Sequence, residues 1–203
     1  MDDLIAALDE EVAKIPAEYL YHVAIHEAGH AAVAVLLEMS DNVTTSLIRR
    51  GQFTASTSMD TRIQAITRKV VEKRMAVALA GRAAEDAILG EVTAGAGGSE
   101  DSDIAIASDL ATRAVTQWGL SASGDILYSR YTAFEQLLAY RPERVDEVHK
   151  MLNVAYTAAL DLVRGHRTDV QAIADALIKK RALVHDEIVA LLRGSPDQAA
   201  SAP

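Results

Sequence analysis

Most of the chain repeats its apolar residues at helical spacing, and one short stretch is instead rich in residues that favour strands. Pro16 suits the first turn of a helix, and from there to about Met39 alanine, valine and leucine dominate without an internal proline, which predicts one long helix over residues 17–39. The following NVTTSLIRRGQFTASTS is rich in Thr, Val, Ile and Phe on either side of Arg50-Gly51, and predicts two short strands joined by a turn. A second helical pattern runs from about Thr61 to Leu89, with Ile63, Ile66, Val70, Val77 and Ile88 as candidate buried positions and Gly90 as its stop. The glycine-rich GEVTAGAGGSEDSD reads as a loop that opens into another helix, IAIASDLATRAVTQWG, closed at Gly119. After a less regular segment to about Pro142, a helix over 143–164 stops at Gly165, two shorter helices follow over 169–181 and 186–193, and the small, polar tail reads as disordered. The expected fold is mainly α with a small β-hairpin or sheet, arranged as a core over residues 1–129, a C-terminal helical subdomain over 130–194 and a tail over 195–203.

Half of the 203 residues are hydrophobic, enough for one sizeable core. The net charge of -9 and the scatter of Lys and Arg in ones and twos exclude the basic surface that nucleic acid or anionic lipid needs. Without cysteine there is no disulfide framework and no thiolate metal site, so His, Asp and Glu are the strong ligands left. No GxxxxGK[ST] phosphate loop occurs, which rules out ATP binding by that route. The longest apolar run, Ala31 to Leu37, is far short of the roughly 20 residues that span a bilayer, and the start MDDLIAALDEE is acidic where a secretory leader is basic. A soluble, cytoplasmic chain without a membrane segment is expected.

Against that background, YHVAIHEAGHAAVAVLL over residues 21–37 is out of character, because it sets His26, Glu27 and His30 inside an apolar helix. Buried polar groups need partners, either hydrogen bonds in the core or a metal ion. Residues four apart lie about 40° apart around a helix and ~6 Å along it, so both imidazoles can reach one ion, with Glu27 beside them to accept a proton from water. His22, four before His26, is followed by Val23 rather than an acid and reads as a packing or supporting residue. A catalytic zinc has three protein ligands, and the third must come from elsewhere: Glu85, Glu100, Asp101, Asp103 and Asp109 are candidates. Glu85 stands out for its apolar surroundings in LAGRAAED, and Asp103 for its place at the start of a helix, where an Asp also serves as a cap. Spacing leaves this choice open.

Three motifs in order, HEAGHA at 26–31, LAGRAAEDAILGEVTAGA at 79–96 and SDIAIASDLATRAVTQWGLS at 102–121, resemble the peptidase domain of FtsH-type ATP-dependent zinc metalloproteases, and the likeness extends over roughly residues 20–193. The resemblance implies a zincin-like fold with Zn2+ as cofactor, His26, His30 and Asp103 as its ligands, Glu27 as catalytic base and Glu85 behind a ligand. It also implies that strand region 43–57 offers an edge, with Gln52, Phe53 and Thr54 as candidate positions, to which an unfolded polypeptide adds as an extra strand. GAGGSEDSDI is longer than the family's usual GASNDI, which leaves Asp101 as a rival to Asp103. The family's membrane helices and ATPase module lie outside these 203 residues. The implied activity is that of a zinc endopeptidase on unfolded or loosely folded proteins, ATP-dependent only if coupled to an ATPase module outside this chain, with a homo-hexamer or docking onto a separate AAA ATPase as the expected assembly. The alternative is a zinc-bearing adaptor that keeps the fold without the catalysis.

Overall fold

The computed structural model describes residues 15–49, 52–60, 64–124, 126, 128–129 and 141–194. The tail over 195–203 and the 129/130 boundary, whose second residue is Arg130, lie at or beyond the edge of the described residues.

Helix α1 (Ala17–Leu36) is the axis of the molecule. From Ala24 to Ala34 nearly every residue is buried, because helices and sheet cover it on several sides, and its small side chains let those neighbours come close. It stops at Leu36, before the predicted Met39, and Glu38 takes a positive φ of 55° that turns the chain into the sheet. Strands β1 (Val43–Arg49) and β2 (Gln52–Met59) form the predicted hairpin, with Thr45 opposite Thr57 and an irregularity between Ser46 and Ile48. Along β1, Val43, Thr45 and Leu47 are buried and the residues between them less so, the period of two that a sheet with one covered face requires.

The expected helix over 61–89 is three pieces. Thr67 caps α2 (Arg68–Ala78), its hydroxyl accepting from the Val70 amide at 3.3 Å. A kink at Leu79 separates α2 from the short α3 (Ala80–Ala84), which runs into a π-helical turn, Glu85–Leu89, closed by the Gly90 amide on the Glu85 carbonyl. Gly90 ends it with φ 79°, as expected. Residues 64–66 are not helical, and Ile66, a predicted core position, is half exposed; Ile63 lies outside the described residues.

A 3-10 turn at Ala94–Ala96 leads to α4 (Asp103–Thr116). Helices α5 (Pro142–Gly165), α6 (Arg167–Lys180) and α7 (His185–Arg193) complete the set, with a two-residue strand β3 (Ala182–Leu183) between the last two. β3 was not foreseen, being too short for any alternation to register, and it pairs with β1 on the side away from β2. The three-stranded sheet is antiparallel in the order β2-β1-β3, so β2 is an edge. One hydrophobic cluster runs from α1 through the sheet, α2, α3 and α4 to α5, α6 and α7. No described helix is long and apolar enough to cross a membrane.

Candidate metal centre

Two side chains of α1 and one of α4 converge. His26 Nε2 and His30 Nε2 lie 3.1 Å apart, and Asp103 Oδ2 lies 3.0 Å from the first and 3.3 Å from the second. Among the described residues these three form the group whose ligand atoms could share one ion.

What stands behind the imidazoles decides which atoms face inward. His26 Nδ1 donates to Glu85 Oε1 at 2.7 Å, and His30 Nδ1 donates to the Val77 carbonyl at 2.8 Å. Each bond keeps the proton of a neutral ring on Nδ1 and turns the Nε2 lone pair toward the same point. Two lone pairs and a carboxylate oxygen at such separations repel one another unless a proton or a cation lies among them. Burial disfavours a charged His26, yet hydrogen bonds to Asp103 and Glu85, together with the field of Glu27, outweigh it and push the pKa up to about 9. Burial likewise disfavours the Asp103 carboxylate, but its bonds to His26 and His30 hold its pKa well below the usual carboxylate range.

Asp103 is free for this contact because Ser102 takes the capping role, its hydroxyl accepting from the Ala105 amide at 3.4 Å. Asp103 is the first residue of α4, where the helix dipole also favours a negative charge. Glu85 is fixed at the start of the π turn by the Thr93 amide, which donates to Oε2 at 2.6 Å, and by the Thr93 hydroxyl. Burial works against its charge, and the bonds to His26 and Thr93 more than compensate, lowering its pKa.

Glu27 is buried, and its Oε2 accepts from the Thr57 hydroxyl of β2 at 2.7 Å, a hydroxyl that also lies 3.0 Å from that of Thr45. The period of two that buries Thr45 puts its cross-strand partner Thr57 on the same face, toward α1. His26, Glu27, His30, Thr57 and Asp103 line one cleft of about 690 Å3, walled further by Ala55, Ser56 and Met59 of β2, by Arg74, Val77 and Ala78 of α2 and by Asp101, Ile106 and Leu110.

Of the predicted residues, His26, Glu27, His30, Asp103 and Glu85 meet here. Asp101 reaches the cleft rim without joining the three, Asp109 pairs instead with Arg113 at 2.8 Å, and Glu100 is exposed. His22 is part-buried and is not one of the three. The side chains of Gln52, Phe53 and Thr54 lie outside the described residues, and the described part of the edge at the cleft is the later one, Ala55 to Met59.

The model of peptidase family M41 matches residues 14–191. The chain belongs to that family. This M41 chain is 31% identical to the ATP-dependent zinc metalloprotease FtsH 3 of Symbiobacterium thermophilum, over 95% of its own length and 33% of the relative's. It is 33% identical to FtsH 3 of Sorangium cellulosum, over 93% of its length and 31% of that protein, and 31% identical to FtsH of Thermus thermophilus, over 87% and 29%. The M41 chain thus spans about a third of the curated relatives it matches.

Four contributors to the M41 site were not anticipated. Gly81 of α3 lies so close to His26 that an added Cβ would stand 2.5 Å from Nε2, and Gly29, inside HEAGH, would place one 2.5 Å from the Ala80 carbonyl. Glycine costs about 1 kcal/mol against alanine inside a helix, and that cost was the available sign that these two positions answer to packing. Thr57 and Thr93 left no sign, since a Thr in a strand or a loop is unremarkable in sequence.

Proposed function

We propose that the chain is a zinc metalloendopeptidase in which His26, His30 and Asp103 hold the ion and Glu27 is the general base. The reading is carried by the convergence of two Nε2 lone pairs, each fixed by a bond at Nδ1, on one carboxylate oxygen. This donor set of two imidazole nitrogens and a carboxylate oxygen fits Zn2+, which takes such ligands at ~2.0 to 2.2 Å, and the cleft leaves a further direction open for water and substrate. When bound, zinc supplies a Lewis acid that polarises the scissile carbonyl and acidifies the attacking water.

The remaining work falls to the chain's own side chains. Glu27 takes the proton from the attacking water and passes it to the leaving amine. Thr57 holds the Glu27 carboxylate in place by its hydroxyl bond. Glu85 and the Val77 carbonyl keep both imidazoles in the tautomer that ligates. The free side of β2 accepts the substrate as an added strand, and main-chain pairing makes recognition tolerant of side chains. A strand must be free before it can pair, so unfolded or loosely folded polypeptides are the preferred substrates. Relatives named ATP-dependent suggest that an ATPase module outside these residues, in the same chain or a separate one, feeds folded substrates to a homo-oligomer, a hexamer in this reading.

The test is bound metal and cleavage of quenched fluorescent casein on the same samples. Wild type should carry about one zinc per chain and cleave. Glu27→Gln should keep the zinc and lose at least about 100-fold of the rate, the scale of general-base catalysis. Cleavage by Glu27→Gln at the wild-type rate would refute the mechanism, and full zinc without cleavage in wild type would favour the adaptor.

A further inference from the structure

One charged group on the cleft wall takes no part in the chemistry described. Arg74 of α2 lies one turn before Val77, whose carbonyl fixes His30, and Ala78, and all three line the cleft. Residues at i, i+3 and i+4 share a helix face, and side chains lean toward the helix N-terminus. That lean takes the Arg74 side chain along the cleft wall toward the N-terminal end of α2. The ~4.5 Å rise from Arg74 to Val77 plus a side chain of ~6 Å corresponds to about three residues of extended polypeptide at ~3.3 Å each.

Its helix neighbours are engaged. Arg68 pairs with Glu72 at 2.8 Å, and Lys73 donates to the Leu37 carbonyl at 2.8 Å. Arg74 makes no hydrogen bond or ion pair with any described residue, although it is part-buried beside apolar Val77 and Ala78. Its guanidinium therefore has its donors free for an incoming group, and its planar fork matches a carboxylate in two parallel hydrogen bonds. The other charged side chains on this cleft, apart from the two imidazoles, are Glu27, Asp101 and Asp103, all acidic. A substrate carboxylate is repelled along that rim and attracted at Arg74, which makes the position selective as well as attractive.

We propose that Arg74 is a specificity-determining residue that binds a carboxylate of the polypeptide substrate, about three residues from the scissile bond. The carboxylate comes from an Asp or Glu side chain or from the end of the substrate chain. The assignment rests on the peptidase reading of the cleft.

The experiment uses the zinc-loaded chain carrying Glu27→Gln, so that peptides bind without being cut. Labelled peptides walk a single Glu, Gln or Lys through an otherwise neutral sequence, each with a free or an amidated C-terminus, and affinity is read by fluorescence anisotropy. At one position Glu should bind about tenfold tighter than Gln, the scale of a charge-assisted hydrogen bond. Arg74→Ala should abolish that difference, Arg74→Lys should keep part of it, and Arg74→Glu should turn the preference to Lys. Loss of the free-acid over amide difference in Arg74→Ala would assign the carboxylate to the chain terminus; loss of the internal Glu preference would assign it to a side chain. Equal discrimination by wild type and Arg74→Ala at every position, or no peptide binding at all, overturns the proposal. The same peptides offered to the chain with Glu27 intact separate the two readings. Cutting without Arg74-dependent selectivity removes the Arg74 role alone, and selective binding without cutting removes the peptidase reading alone.

Discussion

At the scale of residues, the candidate centre depends as much on what holds the reacting groups as on the groups themselves. Thr57 touches Glu27 but not the candidate metal ligands, so its removal separates positioning from ligation. Thr57→Val should leave zinc content and KM near wild type and lower kcat roughly tenfold, with Thr57→Ser recovering most of it; steady-state kinetics on a fluorogenic peptide reads the split. A second consequence follows from His26. Its hydrogen bonds to Asp103 and Glu85 push its pKa up to about 9, so under the proposed assignment a proton present at pH 7 leaves when zinc enters. Zinc uptake should release about one proton per chain, and the apparent affinity should rise about tenfold per unit between pH 6 and 8, the direction set by a group protonated below its raised pKa. Calorimetry in buffers of different ionisation enthalpy measures the count, and release of no proton would contradict the picture.

At the scale of elements, the approach of α3 to α1 is what brings Glu85 behind His26, and two glycines allow it. Gly81→Ala would push a methyl into the imidazole on its Nε2 side. It should weaken zinc binding by about 10- to 100-fold, the range for disturbing a ligand's support, while far-UV circular dichroism stays that of wild type. Unchanged zinc affinity would show that the ring can move aside freely.

The same elements show what could be read in advance. The HEAGH helix, the hairpin and the stops at Gly90 and Gly165 were legible because each is a local property, a periodicity or a terminator. Asp103 was not distinguishable from Asp101 by spacing, because the choice depends on Ser102 taking the cap and on where the loop before it lands, and it was the family likeness that favoured Asp103. The break at Leu79 stayed hidden because apolar residues continue across it. β3 is held by partners on β1 rather than by any pattern of its own.

At the scale of the whole molecule, the candidate ligands draw together α1 and α4, and through Glu85 and Val77 also the π turn and α2. An ion held there stabilises the native state over the unfolded one by mass action, about 2.7 kcal/mol at a hundredfold excess over Kd. Removing zinc with a chelator should therefore lower Tm by roughly 5 to 10 °C for a chain of this size, and scanning calorimetry with zinc restored should recover it. A Tm indifferent to the metal would mean that the centre is already rigid without it.

His26 and Asp103 stand 77 positions apart, joined across a hairpin, a kinked helix and a glycine-rich loop. A chain emerging from the ribosome presents HEAGH long before the segment that completes the cluster exists. Under the proposed assignment, half-made or misassembled copies carry a base and two imidazoles but no cutting centre. A nuclease or peptidase whose parts are contiguous is armed as soon as a short piece folds; this one is armed only by finishing, which protects the newly made chain and its neighbours on the same polysome.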